Sequence, residues 1–518
     1  MYIGYHKVRG IEYAVLAESK RDGDTISCKA KEYLGRVIDK EQNIFKSKDR
    51  GVYKYDLENK KVLPVPPDYI QPKIIRKARK PTRPKLILSF GDVFVLDTFL
   101  KQIGFYQVVD ALEYGNSDTS RALLLYYILS EHANQHAEDW YDLTFVKYLY
   151  PHAQLASQRI SEALSDIGSE WAKRSFFKTY SSFLEMRKEE PKKKTVDDGI
   201  LIDSTGLPNS THLPITAVNN HGGSISQEIR LIFAVQQSTG LPLFFRYVAS
   251  NVIDASTIVR TIAELKANGV NTKFAILDAG YYNHLNADAL FEKGVSFISR
   301  MDPHFSVYKK IIAKHLPTLE SKENMIKHNG RFVFVKAIEV MIGKNSDHHA
   351  YAYLCKDLKM RRKLEEDLEN RASDHNLSNE DCYLSMAKQG VFILISSRKI
   401  APNKILNMYY IRDKIEKIFK IDKSYSKLLP LNVEKESTFR GHLMMTFMAA
   451  VVYKLLQDKI AESGLTTESM FLNLHEQHVC IYDQELITTE PTKKMNNAYK
   501  ALGIECPAIL RLCDGKLM

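Results

Sequence analysis

Residues 404–425 read KILNMYYIRDKIEKIFKIDKSY, and within them Tyr409, Arg412, Glu416 and Lys423 are spaced Y-x(2)-R-x(3)-E-x(6)-K. At about 100° per residue of α-helix, these four side chains fall within a sector of roughly 60°. Met408, Ile411, Ile415, Ile418 and Phe419 fall in the neighbouring sector, the one expected to face a core. A helix of this kind presents one carboxylate among a tyrosine, an arginine and a lysine, which suits a site that handles a metal and a phosphodiester. Upstream, two aspartates each follow an apolar run: Asp203 after Ile200, Leu201 and Ile202, and Asp278 after Phe274, Ala275, Ile276 and Leu277. Both are expected at strand ends. Two strand carboxylates and one helix carboxylate are the parts of a two-metal nuclease or strand-transfer site.

The stretches GILIDSTG around Asp203, FAILDAGYYN around Asp278 and YYIRDKIEKIFKIDK around Glu416, with FRGHL near Arg440, Gly441 and His442, resemble the DDE transposases of bacterial insertion sequences. Within these the resemblance is to the insertion-sequence-four-like branch with the Y-R-E-K signature, over roughly residues 195 to 460. The four-residue stripe with both aspartates upstream makes the motif specific. The resemblance implies that Asp203, Asp278 and Glu416 are catalytic and hold Mg²⁺, with Mn²⁺ a substitute, Asp203 bridging two ions. It implies that Tyr409, Arg412 and Lys423 contact DNA. The partners implied are double-stranded DNA, as terminal inverted repeats and as target, and a homodimer or higher assembly on the DNA ends. Alternatives are a ribonuclease-H-like nuclease that cuts without joining, and a non-catalytic DNA-binding protein derived from a transposase.

Composition agrees with a polyanionic partner. A net charge of +11 and a pI near 9.0 favour nucleic acid. Hydrophobic residues at 44% and a mean hydropathy of −0.28 are those of an ordinary globular chain, long enough at 518 residues for about three domains. Cys28, Cys355, Cys382, Cys480, Cys506 and Cys513 form no C-x-x-C pair, so neither a zinc knuckle nor a disulfide framework is expected, and a cytoplasmic setting fits. The start, MYIGYHKVRG, lacks a secretory pattern, and the apolar run Leu443 to Tyr453 is too short to span a bilayer, so no membrane partner is expected.

The expected fold class is α/β: a ribonuclease-H-like catalytic core with a β-rich insertion, plus N-terminal β-rich and helical DNA-binding regions. Residues 1–70 carry strand patterns broken by turns at Asp22-Gly23 and Arg50-Gly51. Residues 71–90 form a basic linker arm, with Lys73, Arg76, Lys77, Arg79, Lys80, Arg83 and Lys85 among prolines. Residues 91–194 turn helical, with Ser157 a candidate cap, Gly168 an interruption, and Gln154 to Gly168 compatible with part of a helix-turn-helix. Residues 195–300 show the order β-β-β-α-β-α-β, with acids after the first and fourth strands, which is the ribonuclease-H order. Residues 301–390 read as a β-rich insertion with its own alternation at Phe332, Phe334 and Lys336, a self-contained unit around the charged helical piece MRRKLEEDLENRA. Residues 391–459 return to the core, and 460–518 form a C-terminal α/β region.

Other candidates have plainer readings. Asp254 is an N-cap, Asp197 and Asp198 are turn residues, and Asp302 has no partner motif. His212, His348 and His349 lack metal-ligand spacing. Tyr281 and Tyr282 suit either base stacking or core packing. Arg440 and His442 suit either a DNA channel or the packing of the apolar helix.

Overall fold

Apolar and polar residues alternate along Tyr13-Ala14-Val15-Leu16, and the period of two sets one face of a sheet against a core. The computed structural model describes the chain except residues 9–10, 23–24, 67–68, 70–82, 188–198, 210–212, 222–223, 253, 346, 361–388, 426–427, 430–432, 483–484, 514–515 and 518. The basic arm from Lys73 to Lys80, Asp197, Asp198, His212 and the helical piece beyond Met360 therefore lie outside the described residues. The chain divides into two units, Met1–Thr82 and Arg83–Met518.

The first unit is an antiparallel meander in chain order: β1 (Tyr2–Val8), β2 (Ile11–Asp22), β3 (Thr25–Asp39), β4 (Ile44–Ser47), β5 (Gly51–Asp56) and β6 (Lys61–Leu63). Ala14, Leu16, Leu34, Phe45, Tyr53 and Tyr55 fill its covered face. Gly35 adopts φ 99° at a bulge, where a Cβ would lie 2.4 Å from the Lys46 carbonyl oxygen, so only glycine fits.

The second unit opens with β7 (Leu86–Ser89) and continues through helices that include Gly91–Gln102, Ser117–Leu129, Ser157–Ile167 and Glu170–Met186. Gly168 ends one helix and the Ser169 side chain caps the next; Ser157 lies inside its helix and makes no cap. A ten-stranded sheet follows, from β8 (Ile200–Pro208), β9 (Ala217–His221), β10 (Ser224–Gln236), β11 (Pro242–Ala249), β12 (Phe274–Leu277), β13 (Ser296–Arg300), β14 (Met325–His328), β15 (Arg331–Ile342), β16 (His348–Asp357) and β17 (Val391–Ser396). Its order is β11-β10-β8-β12-β13-β17-β16-β15-β14, with β9 paired to β10. Helix Asp254–Ala267 joins β11 to β12, and helix His284–Glu292 joins β12 to β13. The class is mixed α/β with a large sheet. Strand β8 lies centrally, antiparallel to β10 and parallel to β12.

The segment 301–390 does not build the self-contained unit expected of it. Its strands extend the same sheet, because β17 pairs with β13 on one side and with β16 on the other. Nor does Phe332 face the core; Val333 and Val335 are buried, Phe334 is partly buried against the core, and Phe332 is exposed. The run RFVFV is apolar at both parities, so alternation alone could not choose its covered face.

Helix Glu436–Ile460 runs buried through the second unit, and Phe447 meets the rings of Phe176, Phe177, Tyr180, Phe233 and Phe245. Among the described residues no helix is long and apolar enough to cross a membrane. At the C-terminal end, β18 (His478–Tyr482), β19 (Glu485–Thr488), β20 (Ile509–Cys513) and β21 (Lys516–Leu517) form a second sheet whose last strand is β7. Part of the stretch expected as a linker arm is thus a strand, Leu88 opposite Val479.

Candidate active site

Strand β8 carries Asp203 as its fourth residue, opposite Phe233 of β10. Asp203 is therefore in mid-strand and not at a strand end, because pairing with β10 continues to Pro208. Parallel pairing sets Leu277 of β12 beside Ile202, so Asp278, which immediately follows β12, lies beside Asp203. The Ser299 hydroxyl donates to the Asp278 carbonyl (2.9 Å) and fixes that turn.

The segment expected as one helix is two. Helix Pro402–Tyr410 ends, Ile411 and Arg412 form a turn, and helix Asp413–Tyr425 follows. Across the junction the amides of Arg412, Lys414 and Ile415 donate to carbonyls three residues back, a tighter winding than the α-helix. The Lys414 ammonium donates to the carbonyls of Gln237 (2.8 Å) and Ser238 (2.6 Å), tying the second helix to the β10–β11 turn.

The Arg412 guanidinium lies between the two strand aspartates. Its Nη2 donates to Asp203 Oδ2 (2.9 Å), and its Nη1 to Asp278 Oδ1 (2.7 Å) and the Tyr409 hydroxyl (3.0 Å). Burial, the largest influence on Asp203, pushes its pKa up to about 6; Arg412 pulls against that rise and Asp278 adds to it. Burial also opposes the charge on Arg412, but Tyr409, Asp203 and Asp278 outweigh it and its pKa moves up. Burial raises the Tyr409 phenol to about 12. Burial thus disfavours the ionised form of Asp203, and a cation beside it favours that form.

Lys423 donates to the Gly206 carbonyl of β8 (2.9 Å). Glu416 is exposed on the first turn of its helix, its amide 3.4 Å from the Arg412 carbonyl. Among the described residues, no group of three or more His, Cys, Asp or Glu side chains is placed to hold one metal ion. The structure therefore brings Asp203, Asp278, Tyr409 and Arg412 together and sets Lys423 beside the same strand, while Glu416 stays outside that cluster. Asp203 and Asp278 suit a divalent cation, since both carboxylates already converge on one positive group and the Asp278 side chain is 43% exposed.

The remaining candidates are structural. Tyr281 and Tyr282 are buried. Asp302 accepts from the His304 amide (2.8 Å) and holds its ring. His348 meets Asp288 and stacks on Phe291, and His349 meets Glu339. His442 bonds the Tyr127 hydroxyl (2.8 Å), and Arg440 pairs with Glu436 and Glu170. Gly441 lets helix Ser157–Ile167 against helix Glu436–Ile460 so closely that a Cβ would lie 1.8 Å from the Leu164 carbonyl oxygen. That helix, read as compatible with a helix-turn-helix, has its exposed Arg159 paired with Glu162. Sequence reading missed Lys414, whose anchoring bonds reach carbonyls more than 170 residues away and leave no local signal.

The family model described as Transposase DDE domain matches residues 194–452, half of the chain, and the chain belongs to that family. It is a DDE transposase, and the match encloses Asp203, Asp278, Tyr409, Arg412, Glu416 and Lys423. No curated protein matches the chain. Among solved structures, it is similar to the cryo-EM structure of the piggyBac transposase synaptic complex with hairpin DNA. That similarity has 9% sequence identity and a TM-score of 0.38 over 75% of this chain and 70% of that one, too slight to carry an argument.

Proposed function

We propose that this transposase binds the terminal inverted repeats of its own element, cleaves the ends and joins them to target DNA, acting as a homodimer or higher assembly. The observation that carries this reading is the convergence of Asp203 and Asp278, from neighbouring parallel strands, on Arg412. The order of β11, β10, β8, β12 and β13 supports a ribonuclease-H-like core. The Y-x(2)-R-x(3)-E-x(6)-K spacing supports the insertion-sequence-four-like branch.

Asp203, Asp278 and Glu416 would hold a divalent cation, Mg²⁺ with Mn²⁺ as a substitute. When bound, such a cation supplies Lewis-acid stabilisation of charge on phosphoryl oxygens. Glu416 lies four residues beyond Arg412, a rise of about 6 Å at 1.5 Å per residue, and would take this role by turning its exposed side chain toward the two aspartates. Arg412 fixes the orientation of the two aspartates and, through its planar fork, can also grip a phosphate. Lys423 adds a point charge beside β8, and Tyr409 orients Arg412. The helical region 91–194 contributes to recognition of the ends.

Incubating the protein with Mg²⁺, labelled element ends and a plasmid tests this. Joined products are expected. Cut but unjoined ends would make the protein a nuclease, and binding without cutting would make it a non-catalytic DNA-binding protein.

A further inference from the structure

Residues 1–82 hold 19 Lys and Arg against 11 Asp and Glu, so most of the chain's excess positive charge lies in its first unit. Of these cations, the five from Lys73 to Lys80 lie outside the described residues, while Arg36 and Lys46 lie on the face of the meander turned away from the core of Leu16, Leu34 and Phe45. Strand register runs His6 opposite Tyr13, Tyr13 opposite Arg36, Arg36 opposite Lys46 and Lys46 opposite Val52, which sets one continuous row across five strands without an acid in it. Its His6 and Tyr13 rings stack, 6.0 Å apart at 26°, and Tyr33, opposite Val15 in the adjoining register, stacks on Tyr13 at 6.1 Å and 30°. Tyr33 is 55% exposed, and Val8, Ile11 and Val52 are exposed on the same face.

Exposed rings and aliphatic side chains on a sheet are costly unless something covers them. The cover must be negative, to suit Arg36 and Lys46, and must offer flat apolar surfaces, to suit the ring column. A duplex offers phosphates but hides its base faces, whereas an unpaired strand offers both. A second copy of this face would set cations against cations. From this combination we infer that the outer face of the β1–β5 sheet binds single-stranded DNA, with bases extending the column of His6, Tyr13 and Tyr33 and with Arg36 and Lys46 on the phosphates. As a role in transposition, holding unpaired DNA at the element ends, this rests on the function proposed above; the binding itself does not.

The test is fluorescence anisotropy on the full chain in EDTA, so that no cleavage is involved, with a short labelled oligothymidine and a duplex of equal length. Tyr13→Ala with Tyr33→Ala should weaken binding of the single strand at least about tenfold and leave duplex binding within about threefold. Tyr13→Phe with Tyr33→Phe should restore it, which separates loss of rings from loss of fold. Arg36→Ala with Lys46→Ala should flatten the salt dependence for the single strand by about 1.4, at roughly 0.7 per phosphate. Single-strand binding that survives loss of both rings in a folded variant would overturn the inference. So would equal loss on both DNAs, or lost self-association with DNA binding unchanged. Because cleavage plays no part, failure of end cleavage would count against the proposed function and leave this result standing.

Discussion

Arg412 and Asp203, 209 residues apart in the chain, are joined by a 2.9 Å bond between Nη2 and Oδ2, and the same guanidinium holds Asp278 at 2.7 Å. A guanidinium and a divalent cation would therefore draw on the same carboxylate oxygens. Arg412→Ala should lower stability by about 3 kcal/mol, because it strands the enclosed Asp203 carboxylate without its partner. It should also tighten Mn²⁺ binding by roughly tenfold, since the competing charge is gone. Calorimetric titration with Mn²⁺ checks this, and unchanged affinity would show that the arginine and the metal use different atoms.

Glu416 is exposed, so Glu416→Gln should change unfolding free energy by less than about 0.5 kcal/mol. It should nonetheless lower end cleavage at least about 100-fold, as should Asp203→Asn and Asp278→Asn, with end binding retained. Asp302→Asn, outside the cluster, should cleave at nearly the parental rate. A gel-based cleavage series reads all four, and parental activity in Glu416→Gln would dismiss it as the third carboxylate.

Gly441→Ala should destabilise the second unit by about 2 kcal/mol, because the added methyl meets the Leu164 backbone and the helices must part. Urea unfolding measures this directly. A change below about 0.5 kcal/mol would mean that the contact yields easily.

His475 gives the fold a pH dependence remote from the carboxylates. Its Nδ1 lies 2.8 Å from buried Asp92, and that hydrogen bond raises the His475 pKa above its usual value, against the opposing effect of burial. A raised folded-state pKa means that the stabilisation is full below the unfolded value of about 6.5 and is lost as pH rises through the folded value. The melting-temperature gap between the parent and His475→Gln should accordingly be larger at pH 6 than at pH 9. The opposite trend would place the charge on a different group.

Replacing residues 301–390 with a short linker should cost the sheet strands β14–β16 and leave Ile393 and Leu394 of β17, now buried, at an unpaired edge. Aggregation or a lowered melting temperature is expected. Unchanged thermal unfolding would restore the view of that segment as a separable unit.

Local pattern served well where chemistry and period coincide. The apolar runs ending at Ile202 and Leu277 marked two strands, and the alternation of helix and strand from Asp254 to Arg300 could be read from 3.6- and 2-residue periods, whereas strand Ala217–His221, polar at Asn219, Asn220 and His221, escaped the expected order. Arg412 and Tyr409 were singled out by the spaced stripe as DNA contacts, and the bonds of Arg412 to Tyr409 and to the two aspartates were not foreseen from it. The break at Ile411 and Arg412 was not legible, because KILNMYYIRDKIEKIF satisfies a helical period throughout and only the bonds of Arg412 to two distant strands interrupt it. The pairing of β7 with β18 and of β17 with β13 was hidden for a related reason: strand pairing depends on partners far along the chain, and a single sequence shows the strands but not their neighbours.

The pairing of Leu88 with Val479 also has a bearing on how the protein is made. A ribosome adding about 5–20 residues per second needs roughly 20 to 80 s to travel from β7 to β18. Through that interval the apolar strand near the start of the second unit waits without its partner. A copy of the gene interrupted anywhere before its last strands yields a chain that never closes this sheet.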